Sequence, residues 1–131
     1  MYSAILLDEK SQLKLEKFAE DIKVNGVRLP MLVRDNGWKM YNHHMTICMG
    51  SLPEHLKQYI DTIQKLDVTH VGISDKAVAV RVVGFDSKNK IPHVTVAVNI
   101  KGGAKPVMSN EIKDWTPVES PIKLSGEVKE L

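Results

Sequence analysis

The feature that most constrains the fold of this chain is a short pattern that occurs twice inside apolar segments. Residues 44–47 (HMTI) and 93–96 (HVTV) each place a histidine two positions before a threonine. Alternate side chains of a β-strand lie on the same face, so in each copy the histidine and threonine point one way and the apolar residues point the other way. The sequence therefore predicts two core strands that present a shared polar site, formed by His44, Thr46, His93 and Thr95.

The repetition makes this pattern informative. With five histidines and five threonines in 131 residues, two such spacings arise by chance in about one sequence in a hundred. The remaining histidines, His43, His55 and His70, have no threonine at that offset. Both copies also lie in strand-like surroundings, HMTICMG and IPHVTVAV, which favours a common role.

The paired H-x-T-hydrophobic motif resembles the signature of the 2H phosphoesterase superfamily, whose members carry one motif in each half of a pseudo-symmetric fold. Only the two motifs match residue by residue. The stretch 102–112 (GGAKPVMSNEI) is also similar to a glycine-containing substrate loop of small phage-type or RNA-repair-type relatives. The resemblance implies a single domain over residues 1–131 with a bilobal α+β fold, in which antiparallel sheets form a central cleft and helices lie outside.

The resemblance also supplies a substrate class. It implies a phosphoric diester hydrolase that opens a cyclic or 2′-5′ phosphodiester of a nucleotide, an oligonucleotide or an RNA end, such as a 2′,3′-cyclic phosphate or a cyclic oligonucleotide signal. The sequence does not choose among these substrates.

The chemistry of the predicted site can be derived from the residues themselves. Opening a phosphodiester needs a base, an acid and donors that hold the phosphoryl oxygens. Histidine suits the first two roles, because its pKa of about 6.5 allows one copy to be neutral and the other protonated near pH 7. Thr46 and Thr95 would donate to the non-bridging oxygens. We therefore expect a site that uses neither a metal ion nor a cofactor.

Composition agrees with a small anionic ligand. The 43% of hydrophobic residues is enough for a core, and the net charge is only +2. Long duplex nucleic acid is held mainly by many phosphate contacts, so this charge argues against it as a partner. The single cysteine, Cys48, excludes an intramolecular disulfide, and no apolar run approaches membrane-spanning length. We expect a cytoplasmic protein that has no membrane partner, and the oligomeric state is not predicted.

Periodicity and turn residues predict the elements. Helices are expected at 11–22, capped by Ser11, and at 54–66, begun by Pro53. An extended piece at 27–33 is interrupted by Pro30, and an irregular segment follows Gly102. The predicted strands are 2–7, 38–49, 68–73, 77–85, 91–100 and 122–131.

Several residues have two interpretations. His44 and His93 could be structural strand histidines, or could bind a metal together with His43, although strand neighbours such as His43 and His44 face opposite ways. Cys48 follows the polar face but is more typical of a core filler than of a nucleophile.

A nucleotide-binding module without turnover is the alternative function. The candidate substrate-binding residues are Tyr2, Lys105, Ser109 and Asn110, and Trp115 is, with Tyr2, a candidate for base stacking.

Overall fold

The chain forms nine strands, two α-helices and two 3-10 helices. The computed structural model describes residues 1–131. The strands are β1 (Tyr2–Leu7), β2 (Lys23–Val24), β3 (Val27–Arg28), β4 (Lys39–Met40), β5 (His44–Met49), β6 (Ile63–Ile73), β7 (Ala77–Val83), β8 (His93–Val98) and β9 (Asp114–Glu130). The helices are α1 (Glu9–Ala19), α2 (Leu29–Asp35) and the 3-10 helices Glu54–Tyr59 and Pro106–Glu111.

Six of the strands close into an antiparallel barrel. Their order is β8-β5-β1-β9-β6-β7, and pairing of β7 with β8 completes the ring. The 17-residue strand β9 is long enough to pair with both β1 and β6. Strand β4 adds to one end of β8, and β2 and β3 form a separate hairpin.

The barrel interior is the hydrophobic core. Apolar side chains from all six ring strands form one buried cluster, which includes Met45 and Ile47 of β5 and Val94 and Val96 of β8. These four side chains are fully buried. The predicted alternation is therefore confirmed, because the apolar members of both motifs face the core and leave the polar members on the outer face of the barrel wall.

The predicted fold class is wrong. The expected bilobal α+β fold has two sheets separated by a central cleft, whereas here β9 joins β1 to β6 and β7 joins β6 to β8. Those long-range pairings leave one continuous sheet that wraps around a single core, so there are no two lobes and no cleft between them.

The predicted helix at 54–66 is also wrong. The 3-10 helix ends at Tyr59, Asp61 adopts the left-handed φ of 64°, and strand β6 begins at Ile63. Ile63 is 65% exposed although the helical pattern placed it on a buried face with Leu56 and Leu66. Backbone pairing of this segment with β9 overrides its local helical periodicity.

Two further local differences involve caps and prolines. The first helix is present, but its N-cap is Asp8, whose carboxylate accepts a 2.7 Å hydrogen bond from the Ser11 amide. Pro30 does not interrupt a strand; it lies in the first turn of α2, where its missing N–H is not needed.

No helix combines the length and the apolar character needed to cross a membrane.

Candidate active site

The two motif strands separate shortly after they meet. Strands β5 and β8 are paired directly at Met45 and Val94. Farther along β8, the chain that follows β4 takes over, and the Tyr41 and Asn42 amides donate to the carbonyls of Val96 and Thr95 at 2.7 and 3.0 Å. The outer faces of β5 and β8 therefore form the floor of an open cavity.

This cavity has a volume of about 940 Å³, which is in the range of small-molecule sites. Its walls come from the loops around the two strands and from the 3-10 helix Pro106–Glu111. No carboxylate lines it. The lining residues are Tyr2, Tyr41, His43, His44, Thr46, Cys48, Met49, Ser51, Leu52, Pro53, Lys88, Asn89, His93, Thr95, Pro106, Val107 and Asn110.

All four residues of the predicted site line this cavity: His44, Thr46, His93 and Thr95. They are separated by almost 50 positions in sequence and are brought together by the Met45–Val94 pairing of their strands. The sequence predicted their convergence from the duplicated strand pattern, although it placed them in a central cleft and not on the outside of a barrel.

His93 is held in one orientation. Its side chain is buried, and Nδ1 lies 2.8 Å from the carbonyl oxygen of Ile91. A carbonyl only accepts, so Nδ1 carries a proton and donates it, which leaves Nε2 as the free nitrogen. Burial lowers the pKa of His93, and the hydrogen bond to Ile91 opposes that shift. His93 is therefore disposed to be neutral, with an acceptor at Nε2.

His44 has a different environment. It is half-buried at the start of β5, its ring lies 5.3 Å from the ring of Tyr2, and its imidazole has no hydrogen-bond partner in the protein. Burial lowers the pKa of His44, and the nearby His43 and His93 lower it further because like charges repel. Both nitrogens of His44 remain available to a ligand.

The two threonines also differ. Thr95 Oγ1 lies 2.9 Å from Ser109 Oγ. The Thr46 hydroxyl has no such partner, whereas its backbone carbonyl accepts a 2.8 Å hydrogen bond from Ser87 Oγ. The site thus contains one threonine hydroxyl that is fixed by the protein and one that is free.

The four candidate substrate-binding residues are distributed unevenly. Tyr2 and Asn110 line the cavity, but Lys105 and Ser109 do not. Lys105 is exposed at the N-cap of the 3-10 helix, and Ser109 is buried beneath Thr95. Trp115 packs on Ala77, Ala79 and Ile112 away from the cavity, with its ring over Gly72, where a Cβ would lie 2.6 Å from the ring.

Sequence reasoning missed Tyr41, Lys88 and Asn89. The segment that holds Lys88 is fastened to β5, because its amide donates to the Ile47 carbonyl at 2.7 Å. Lys88 lies in the polar turn before the second motif, and a basic residue in that turn was the available signal. It brings a positive charge to the cavity wall.

The geometry supports neither metal binding by the histidines nor a nucleophilic role for Cys48. The protein contains no group of three His, Cys, Asp or Glu side chains arranged to hold a metal ion, so His43, His44 and His93 are not a preformed ligand set. The Cys48 thiol donates to the Ser51 carbonyl at 3.1 Å and is mostly buried. Its proton is therefore engaged, as expected for a packing residue.

The same cavity thus combines the imidazoles of His43, His44 and His93 with two threonine hydroxyls and a lysine, and has no acidic side chain. Such a set can exchange two protons with a bound anion and donate hydrogen bonds to its oxygens. No protein-family model matches the chain, and a search of curated proteins finds no match.

Proposed function

We propose that this cavity is the active site of a phosphodiesterase that uses His44 and His93 for proton transfer. The observation that carries the proposal is that both histidines and both threonines of the repeated motif line one cavity without a carboxylate. An anionic phosphodiester is favoured in such a site, because its charge meets donors and Lys88 and is not repelled by an acid.

The hydrogen bond at Nδ1 of His93 supports the following division of roles. Its Nε2 accepts the proton of a water molecule as the water oxygen bonds to phosphorus. His44, in its protonated form, gives a proton to the departing oxygen as the P–O bond breaks. The reaction consumes one water and yields a phosphomonoester and a hydroxyl, and the two histidines exchange protonation states before solvent restores them.

The threonines would act on the phosphoryl group. Charge on the non-bridging oxygens grows as water adds to phosphorus, and hydroxyl donors fixed in the cavity wall stabilise that charge without reorganising. Thr46 and Thr95 come from different strands and lie on the same cavity floor, which suits donation to two different oxygens.

The substrate class remains the one implied by the motif resemblance: a cyclic or 2′-5′ phosphodiester of a nucleotide, oligonucleotide or RNA end. A volume of about 940 Å³ is sufficient for a nucleotide. Since the barrel differs from the bilobal fold of that superfamily, the proposal rests on the residues of the site and not on the architecture.

The deciding experiment is a screen of 2′,3′-cyclic nucleotides, 2′-5′ linked oligoadenylates and cyclic oligonucleotides, with products identified by chromatography. We expect turnover of at least one class by the parent protein and strongly reduced turnover by the His44→Ala/His93→Ala double variant. Binding of these ligands without turnover would replace the proposal with a nucleotide-binding module.

The same assay, repeated in excess EDTA, addresses the metal. Proton transfer by two imidazoles needs no divalent ion, so the rate should be unchanged. Complete loss in EDTA, with recovery on addition of one divalent ion, would assign the histidines to metal binding.

A further inference from the structure

We infer that Ser109 is a positioning residue that directs the hydroxyl proton of Thr95 into the cavity. The inference rests on the proposed function and deepens it, because it makes the two threonines unequal partners of the phosphoryl group. It also gives the 3-10 helix Pro106–Glu111 a role beyond forming a wall.

The direction of the hydrogen bond follows from counting donors and acceptors. Ser109 is 1% exposed, and the Thr95 hydroxyl, 2.9 Å away, is the partner of its side chain. If Thr95 donated to Ser109, the serine proton would be left buried without an acceptor, which is costly. If Ser109 donates to Thr95, the buried serine proton is satisfied and the Thr95 proton is free to point elsewhere.

The free direction for that proton is the cavity. Thr95 lines the cavity whereas Ser109 does not, so the serine lies behind the threonine as seen by a ligand. A hydroxyl that accepts one hydrogen bond is also polarised and becomes a better donor in the next. Ser109 therefore prepares Thr95 to donate to a phosphoryl oxygen before the substrate arrives.

Thr46 provides the internal comparison. It occupies the equivalent position of the first motif and lines the same cavity, yet no protein group accepts from or donates to its hydroxyl. Its proton must be oriented by the ligand itself, which costs rotational freedom at the moment of binding. Loss of the Ser109 hydroxyl should therefore weaken the hydrogen bond that Thr95 donates to the phosphoryl group. The hydrogen bond donated by Thr46 should be unchanged.

Packing of small residues explains why Ser109 can approach Thr95. Ala79 is the cross-strand partner of Thr95, and Ala77 and Ala79 are buried against Ile112, just after the 3-10 helix. Larger side chains at these two positions would lift the helix off the barrel wall. The Ile112 contact thus sets the height at which Ser109 meets Thr95.

The test is a pair of double-mutant cycles, measured as kcat and KM on whichever substrate the screen identifies. Ser109→Ala should lower kcat about tenfold in the parent and in the Thr46→Val background, but should have no further effect in the Thr95→Val background. Met108→Ala is the packing control, since Met108 lies in the same 3-10 helix outside the cavity lining and its truncation keeps the serine hydroxyl. It should show no coupling specific to Thr95.

A second measurement does not require turnover. Inorganic phosphate is titrated into the same variants while amide chemical shifts are recorded, and Ser109→Ala should weaken phosphate binding severalfold unless Thr95 is already valine. A loss from Ser109→Ala that persists in the Thr95→Val background, or no loss in the parent, overturns the inference in either assay. Phosphate binding with the expected coupling but no turnover by the parent overturns the proposed function alone.

Discussion

Met45 and Val94 are the residues at which the two motif strands meet as direct cross-strand partners, and both side chains are fully buried in the barrel core. This one pairing brings His44 next to the start of β8 and lets the strands diverge on either side of it. Beyond this pair, Tyr41 is hydrogen-bonded to β8 and Lys88 to β5, and both residues line the cavity.

Stability should depend on Met45 and hardly at all on another methionine of the same strand. Met45→Ala removes a fully buried side chain and is expected to lower the free energy of unfolding by about 2–5 kcal/mol. Met49→Ala is the matched control, because Met49 ends the same strand and is 82% exposed. Denaturant unfolding of the three proteins measures the difference, and equal losses would contradict the assigned core.

Removing either histidine should slow turnover strongly. His44→Ala or His93→Ala each removes a proton-transfer group, worth about 10²–10⁴-fold in kcat. Because both groups act on one step, the double variant should lose much less than the product of the two single losses. His55→Ala serves as the control, since its side chain is exposed and pairs with Asp86 outside the cavity. Parent-like rates in both single variants would make these histidines structural.

The pH dependence of kcat/KM should be bell-shaped, with its maximum below pH 6.5. The pKa of His44 and the pKa of His93 are both lowered from 6.5, chiefly by burial, and kcat/KM reports the groups of the free enzyme. Each single His→Ala variant should lose one limb of the profile. A maximum well above pH 7 would show that other groups titrate in the rate-limiting step.

The same shifts predict how stability responds to acid. Between the lowered folded-state pKa of each histidine and its unfolded value of about 6.5, the unfolded chain binds more protons than the folded one. The free energy of unfolding should therefore fall as pH drops below about 6.5, before most carboxylates titrate. The His44→Gln/His93→Gln variant should show a flatter dependence over that window in denaturant titrations at several pH values.

Two lysines of one turn distinguish direct contact with the ligand from long-range electrostatic attraction. Lys88 lines the cavity and Lys90 does not, although both are exposed in the same segment. Lys88→Ala should raise KM, or weaken inorganic phosphate binding, by about tenfold, the effect of losing one close charge–charge contact. Lys90→Ala changes the net charge equally and should have little effect. Similar effects of the two variants would indicate long-range attraction only.

Much of the local structure was predictable from sequence. Strand β1, the hairpin of β6 and β7, and the second motif strand follow from β-branched and apolar runs bounded by turn residues. The period of two predicts that His44 shares a face with Thr46 and that His93 shares a face with Thr95. Errors appeared where a local pattern had two solutions, as in 54–66, where apolar residues at helical spacing became a 3-10 turn and an exposed part of β6.

The amino-acid sequence by itself determined which side chains share a face, because that depends only on the alternation of a strand. Tertiary structure decided which strands are neighbours. Closure by β7 and β8, the double pairing of β9, and the approach of Ser109 to Thr95 each join residues whose relative position no local pattern encodes. Such contacts are selected by burial of the whole core and by pairing of backbone groups distant in the chain, and they turned two polar strand faces into one cavity.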